Sequence, residues 1–547
     1  MKQYLTLLSI GLVCLKPLGA EGMAQAPDTP NNNPSTTSGE KPNFVFFIAD
    51  DMLPRHFNCL PQGKGKNLTP NIDRLAREGT LLTELHVASP ICTPSRYNVL
   101  TGNYASRANN PWFKQTTKEK GQSVVEFNTH IIPSDTTLPK LLQKAGYTTG
   151  MVGKNHVIEA EGLKRFKDFD ASAKDPKNVS ILKSNHDHVR QGVREAGFDF
   201  ADRVYHNNPD FLGLHEVAVQ NMEWITEGGV EFLNQDHDAP FFLYFATTVP
   251  HGPTEEKRSW NADPLLSAVG YLDEAPNVQT TRASIPERLK AAGLPVDDST
   301  ANMLWLDDAL GALIDSLEAS SELDNTVIFF ISDHGQLSKG TVYQGGVYNP
   351  GIVWKKGGFP VGNQTDALIS IVDFAPTMLD MAGYEFADNQ FDGESFAPYL
   401  DGEEQYGGRI LYFELGYARG IRKGDFKYMA IRYPEEIENM TLAERTQALE
   451  EWNAERRRKH LRIVTEDPTD PFSHLTAVPG GGDAERASTG SYPSYFERDQ
   501  LYDLSKDPRE QVNLANNPEY AAVLTDMKKA MKEQLATLPG GFGELKK

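Results

Sequence analysis

Four apolar runs in this chain stop abruptly on polar residues, and that pattern limits the folds open to it. Asn43-Phe44-Val45-Phe46-Phe47-Ile48-Ala49 ends at Asp50-Asp51, and Gly150-Met151-Val152 ends at Gly153-Lys154-Asn155-His156. Pro240 to Ala246 leads to Pro250-His251-Gly252, and Thr326 to Ile331 ends at Ser332-Asp333-His334-Gly335. Short continuous apolar runs read as strands buried on both faces, the environment of a parallel sheet. Helical periodicity separates them, as from Leu138 to Ala145 and Met303 to Leu317, and Thr69-Pro70 opens a further helix with Thr69 as its cap. Alternating strands and helices predict an α/β fold, a large and mostly parallel sheet sandwiched by helices. Open sheets of this kind place their sites beyond the carboxyl ends of the strands. Four polar clusters at four such ends therefore predict one shared crevice.

After about residue 400 the pattern changes. Arg409 to Phe413, Ala418 to Arg422 and Phe426 to Arg432 read as short strands joined by turns. The charged segment from Glu435 to Arg462 reads as a solvated helix, and Pro479 to Gly482 as a loop. Asp499 to Leu504 leads into a final helix over Pro518 to Leu538. We expect a catalytic domain over 41–400 and a smaller C-terminal α+β subdomain with an antiparallel sheet over 401–547, an organisation natural for 547 residues.

The start of the chain reads as a secretory signal over 1–26: Lys2 is its charged region, Leu5 to Leu15 its apolar region, and small residues follow at Ala20 and Ala24-Gln25-Ala26. Pro27 would hinder a cut directly before it, so cleavage is placed somewhere in 20–26. Residues 27–40, rich in Pro, Asn, Ser and Thr, read as a flexible linker. Cys14 lies inside the apolar region and not behind a lipobox, so the expected address is periplasmic or secreted. No later run approaches the roughly 20 apolar residues of a membrane span. A net charge of -21 argues against nucleic acid as a partner. It also means that any anionic substrate must be met by a local cluster of cations.

Loss of Cys14 with the signal leaves Cys59 and Cys92, and two cysteines in an exported protein invite a disulfide. Cys92-Thr93-Pro94-Ser95-Arg96 offers another use, a thiol beside a fixed positive charge that favours the nucleophilic thiolate. A lone cysteine in a helix-start turn is otherwise a small buried residue. Asp50 and Asp51 repel each other and call for a shared cation, or else form a cap or solvated turn. With Asp333 and His334 they make an oxygen-rich set suited to Ca²⁺ or Mg²⁺ and poorly suited to structural zinc. His251 reads either as a surface residue or as an acid, and His186 and His188 as parts of a solvated loop.

Cys92 to Arg96 resembles the Cys-x-Pro-Ser-Arg signature of the type I, formylglycine-dependent sulfatases of the alkaline-phosphatase-like superfamily. The resemblance runs in order along the chain. It takes in Asn43 to Asp51, Thr69 to Arg96, Gly153 to His156, His251-Gly252-Pro253, Ser332 to Gly335, Lys339 to Gly346, and the tail from Leu501 through Asp507-Pro508 to Leu514. It implies that Cys92 is oxidised to formylglycine (3-oxoalanine), whose hydrate attacks sulfur. It implies that Asp50, Asp51, Asp333, His334 and the modified Cys92 hold a Ca²⁺ or Mg²⁺ ion. Arg96 and Lys154 would orient the nucleophile, His156 assist collapse of the sulfated intermediate, and His251 and Lys339 contact the sulfate, with His251 as general acid. Where the family often has Glu this chain has Gln344, and where Arg soon follows it has Tyr348 and Asn349, departures that bear on loop packing and specificity. His206, His215, Arg419, Arg422 and His474, outside the shared motifs, are candidates for sugar contacts. The implied activity is hydrolysis of sulfate esters, with a sulfated saccharide as the expected substrate, after maturation by a formylglycine-generating enzyme. The rivals are a phosphate or phosphonate ester hydrolase of the same superfamily, and a catalytically silent glycan-binding protein with an unconverted Cys92.

Overall fold

The run from Asn43 to Asp50 forms strand β1, buried along its whole length in the interior of an eight-stranded sheet. The computed structural model describes residues 40–400, 408–458, 462–470, 473–475 and 482–543. The expected signal over 1–26, all but the last residue of the linker, the boundary at 401 and most of the Pro479 to Gly482 loop lie outside them. The sheet continues with β2 (Thr80–Leu82), β3 (Thr148–Lys154), β4 (Phe200–Tyr205), β5 (Phe241–Pro250), β6 (Thr326–Ser332), β7 (Gly351–Lys355) and β8 (Asn363–Thr365). Its spatial order is β8-β2-β7-β6-β1-β5-β3-β4. β1 runs parallel to both β5 and β6, and β3 parallel to β5 and β4. Only β7 opposes its neighbours, β6 and β2.

Alternation along β1 decides where its side chains go. Phe44, Phe46 and Ile48 enter one hydrophobic core, and Val45, Phe47 and Ala49 enter the other. A strand apolar at every position is stable only if both faces are covered, and helices cover both. Aromatic stacking reinforces the register: Phe46 lies 5.7 Å from Tyr244, and Phe47 lies 4.9 Å from Phe245 and 5.2 Å from Phe330 between ring centroids.

The helices used below are α1 (Pro70–Glu78), α2 (Cys92–Thr101), α3 (Pro176–Glu195), α4 (Met222–Leu233) and α5 (Asp298–Ala319). Pro70 opens α1 as expected, but Thr69 does not cap it, because its hydroxyl donates to Asp73 at 3.2 Å. The free amide groups are met from far away by Asp307 of α5, which accepts from Asn71 N at 3.1 Å and Ile72 N at 2.8 Å. A buried carboxylate on a neighbouring helix thus supplies the cap that the local hydroxyl leaves unmade. His186 and His188 lie on α3, not in a solvated loop, and the buried His186 accepts from Val204 N through Nε2 at 3.3 Å.

Beyond residue 408, β9 (Ile410–Leu415), β10 (Ala418–Lys423), β11 (Phe426–Ile431) and β12 (Asp499–Asp503) form an antiparallel sheet in sequence order. The charged segment divides into a short helix, Glu435–Glu438, and α6 (Leu442–Arg458). One stripe of α6 is buried, with Leu449, Asn453 and Arg456 turned inward, so it is only partly the solvated helix its charge suggests. The last described helix is α7 (Ala521–Ala536). No described helix is long and apolar enough to cross a membrane.

Asp307→Ala should strand the first amides of α1, and we expect a loss of about 2 kcal/mol in urea unfolding, the range for a lost cap with a buried unsatisfied donor. Thr69→Ala should cost a few tenths at most.

Candidate active site

The carboxyl ends of β1, β3, β5 and β6 converge as their polar termini require. Asp50 closes β1 fully buried, and accepts from Lys154 Nζ at 2.5 Å and Arg96 Nη2 at 3.3 Å. The same Arg96 nitrogen donates to Asp333 Oδ2 at 3.2 Å. Arg96 stands on α2, a helix whose ten residues are all buried and whose first residue is Cys92. Ser95, between them, donates its hydroxyl to the Asp333 carbonyl and fixes the helix start to the end of β6.

Asp51 turns back into the same place. Its φ of 68° lies in the left-handed region, uncommon for a non-glycine residue. Its amide donates to Asp333 Oδ1 at 3.1 Å, and its carboxylate accepts from Lys339 Nζ at 2.6 Å. His334 Nε2 is 3.0 Å from Asp51 Oδ1 and His251 Nε2 is 3.6 Å from Asp51 Oδ2. Cys92 Sγ lies 3.4 Å from His334 Nε2. Asp51, Cys92 and His334 form one cluster of potential ligand atoms, and Asp50, Cys92 and Asp333 a second, with atoms in each within 4.8 Å of one another. Cys92 is common to both. Three carboxylates and one imidazole, all buried, are a donor set that fits a hard divalent cation.

Electrostatics follow from burial and charge. Burial alone would raise the Asp50 carboxyl, but Lys154, His251 and Arg96 more than offset it and hold the group well below the usual carboxylate range. Burial likewise opposes charge on His334, yet Asp333 and Asp51 keep its pKa well above the usual value. His156 is different. Burial, with Lys154 and Arg96 beside it, drives its pKa far down, so the ring is neutral near pH 7, and its buried Nδ1 has no hydrogen-bond partner among the described residues.

Two positioning elements lie outside the sequence reading. Gln220, fully buried, donates from one nitrogen to the His251 carbonyl at 2.9 Å and the Thr248 carbonyl at 3.3 Å, and so fixes the loop carrying His251. A single glutamine in a loop gives no sequence signal of that task. The loop carrying Lys339 is clamped by the C-terminal residues: Ser338 Oγ meets Tyr492 OH at 2.6 Å, and the Tyr343 and Tyr492 rings stack at 3.6 Å. Gln344 N donates to Glu510 Oε2 at 2.6 Å, Glu510 pairs with Lys427 at 2.8 Å, and Asn349 donates to the Ser332 carbonyl at 2.6 Å. Gln344 and Asn349 therefore serve loop packing. Cys59 and Cys92 are both free, with no disulfide between them.

The five candidate sugar contacts separate. His206 follows β4, next to the crevice, and its carbonyl accepts from His156 N at 3.0 Å. His215 is 70% exposed and bonds to Asp170 at 2.8 Å. Arg419 and Arg422 must be corrected. Arg419 is 1% exposed and donates to the carbonyls of Gly416, Ala418 and Ser123. Arg422 is held by Glu84 at 2.5 Å and His86 at 3.0 Å. Both guanidinium groups are buried and bonded within the protein. His474 lies near Arg445 and Arg486, and no hydrogen bond or ion pair among the described residues joins it to the crevice.

A family model described as Sulfatase matches residues 42–384. The chain belongs to the sulfatase family. It is a sulfuric ester hydrolase with the alkaline-phosphatase-like fold of that family. An ulvan-active sulfatase from Formosa agariphila is 26% identical over 93% of this chain and 84% of its own length. An N-acetylglucosamine-6-O-sulfatase from Bacteroides thetaiotaomicron is 27% identical over 71% of this chain and 75% of its own. Among solved structures, one in complex with D-glucosamine-2-N,6-O-disulfate aligns with a TM-score of 0.53 at 19% identity, covering 91% of this chain and 98% of that one. A phosphonate monoester hydrolase from Agrobacterium radiobacter aligns with a TM-score of 0.54 at 17% identity, covering 91% of this chain and 96% of that one. The fold is thus shared by more than one ester chemistry, and the sulfatase reading rests on the family match.

Gly153 precedes Lys154 with a φ of 83°, and a Cβ there would stand 1.7 Å from the Ala246 carbonyl oxygen. Gly153→Ala should therefore part β3 from β5, lowering stability by about 2–4 kcal/mol in thermal or urea unfolding. It should also withdraw the Lys154 ammonium from Asp50, so that activity falls even at temperatures where the variant is folded.

Proposed function

We propose that this sulfatase hydrolyses O-sulfate esters on sulfated saccharides outside the cytoplasm, through a formylglycine derived from Cys92 and with a bound divalent cation, Ca²⁺ or Mg²⁺. One observation carries this reading: Cys92 Sγ belongs at once to the Asp51–His334 cluster and the Asp50–Asp333 cluster. The nucleophile position and the cation position are therefore the same place, as the attack on a sulfate ester requires. Saccharide specificity is supported by the relatives, an ulvan-active sulfatase in Formosa and an N-acetylglucosamine-6-O-sulfatase in Bacteroides. Export is supported by the leader sequence.

Asp50, Asp51, Asp333 and His334 would hold the cation, which supplies Lewis-acid stabilisation of the charge on the sulfate oxygens. The oxidised Cys92 side chain supplies, once hydrated, the attacking hydroxyl. The remaining roles follow from the chain's own side chains. Three carboxylates face three fixed cations, Arg96, Lys154 and Lys339, so these charges nearly cancel and a divalent cation would add a net positive charge, the sign that an anionic ester needs. Arg96 and Lys154 touch Asp50, which shares a ligand cluster with Cys92, and from there they would favour the deprotonated form of the nucleophile. His156, neutral and with no partner for Nδ1 among the described residues, would accept the proton released when the sulfated intermediate collapses. His251 is 26% exposed, and its Nδ1 bonds to the Gly252 carbonyl at 2.9 Å, leaving Nε2 to meet the departing alcohol as general acid. Lys339 reaches the same edge and would contact the bridging oxygen.

Cys92→Ala should reduce sulfate release at least about 10³-fold while leaving the unfolding midpoint within a few degrees of the parent's. The peptide containing residue 92 should be lighter than its cysteine form, with the sulfur lost and an oxygen gained. A peptide found only as thiol, with no sulfate released from any glycan, would favour the binding-protein rival. Removal of divalent ions by a chelator should abolish turnover, and Ca²⁺ or Mg²⁺ should restore it. Comparison of 4-nitrophenyl sulfate with 4-nitrophenyl phosphate addresses the other rival, since preferential phosphate hydrolysis would overturn the sulfatase assignment.

A further inference from the structure

A cavity of about 690 Å³ lies at the carboxyl end of β4, and its lining includes Lys164, Arg165, Phe169, Asn185, His206 and Phe211. Its volume is within the range of small-ligand sites. β4 pairs with β3 so that Tyr205 stands opposite Lys154. His206 is therefore one strand spacing, about 4.8 Å, to the side of the residues that border the nucleophile. The hydrogen bond from His156 N to the His206 carbonyl ties the two places together at 3.0 Å.

The lining is that of a polar-ligand site with apolar platforms. Phe169 and Phe211 are 53% and 67% exposed, a cost that two such rings on one rim leave unexplained in the isolated chain. Lys164 and Arg165, the two Lys/Arg side chains of the lining, make no side-chain ion pair among the described residues, in a protein whose net charge is -21. Asp210, the acid on the same lining, is already paired with Arg258. The loop bearing the two cations is fixed: Lys164 N donates to Asn185 Oδ1 at 2.8 Å, and Asn185 Nδ2 donates to the Lys164 carbonyl at 2.9 Å. His206 Nδ1 is buried without a hydrogen-bond partner among the described residues. Ring faces suit the apolar face of a sugar, a free imidazole nitrogen suits a hydroxyl, and unpaired cations suit an anionic substituent.

We propose that this cavity is a second saccharide subsite, which holds a sugar unit neighbouring the one that bears the reacting sulfate. In it Lys164 and Arg165 select an anionic group, sulfate or carboxylate, on that neighbouring unit. The inference rests on the saccharide reading above and adds to it a charge requirement away from the reacting bond.

The test compares oligosaccharides that carry the same reacting sulfate and differ in the neighbouring unit, which is neutral, sulfated or a uronic acid. The parent enzyme should favour an anionic neighbour in kcat/KM, and Lys164→Ala/Arg165→Ala should reduce that preference about tenfold, chiefly through KM, as expected for lost charge-assisted hydrogen bonds. Phe211→Ala should raise KM for all three oligosaccharides a few-fold. A preference for sulfate alone or uronate alone identifies the anion. A parent enzyme indifferent to the neighbour, or a double variant with the preference intact, overturns the subsite. If the parent releases no sulfate from any of the three, the saccharide reading fails instead. The cavity is then judged by calorimetric titration of the sulfated oligosaccharide, where equal affinity for parent and double variant overturns it.

Discussion

Everything at the catalytic end of the sheet depends on keeping Asp50 ionised where no water reaches it. A carboxylate buried without partners would take up a proton or drag the strand end toward solvent. Lys154 and Arg96 prevent both, and in doing so they fix the places of two other elements. Lys154 must lie at the end of β3, two strands away, and Arg96 must project from α2 at the turn that begins with Cys92. Arg96 then reaches Asp333 and joins the end of β6 to the same cluster. Position of Cys92, position of the candidate cation ligands and packing of α2 are in this way one electrostatic problem with one solution. Truncating any one member exposes the others to an unpaired charge, so effects of multiple substitutions here should not add.

The strands and the crevice were readable because a buried parallel strand must be apolar at every position, and its first polar residue therefore marks its end. Asp50, Asp333, Lys154 and His251 were placed by that rule before any contact was known. What escaped the reading was set by tertiary packing. Thr69 has every local qualification for a helix cap, yet the carboxylate of Asp307, far along the chain, does the capping instead. Arg419 and Arg422 were candidates because their segments, outside the shared motifs, could border the pocket, and burying an arginine is expensive. The structure meets that expense with backbone carbonyls for the first and with Glu84 and His86 for the second. His186 seemed exposed in a polar stretch, but a half-turned helix face buries one imidazole while its neighbours stay wet. Periodicity reports which face is apolar; it does not report a polar group whose partner comes from elsewhere.

The C-terminal sheet contributes no proposed cation ligand, but it controls the loop that carries Lys339. Tyr492 holds Ser338, Tyr343 donates to Gln500 at 2.5 Å, and Glu510 receives the amide of Gln344. The Lys427–Glu510 pair beneath that loop is fully buried, so its value lies in fixing one arrangement more than in net stability. This explains how Gln can stand at 344: the carboxylate at that point is brought by Glu510 instead.

The placing of β1 inside the sheet has a consequence for how the molecule comes into being. Among the described strands it comes first in the chain, and its two neighbours begin at Phe241 and Thr326. Until the chain has been made as far as Ser332, the segment Phe44 to Ala49 has no native edge to pair with on one of its sides. Such long-range pairing slows folding and leaves a sticky β-prone segment uncovered in the meantime. The run that defines the catalytic crevice is thus also the segment most in need of protection while the chain is young, and the order of its partners makes assembly a late, nearly all-at-once event.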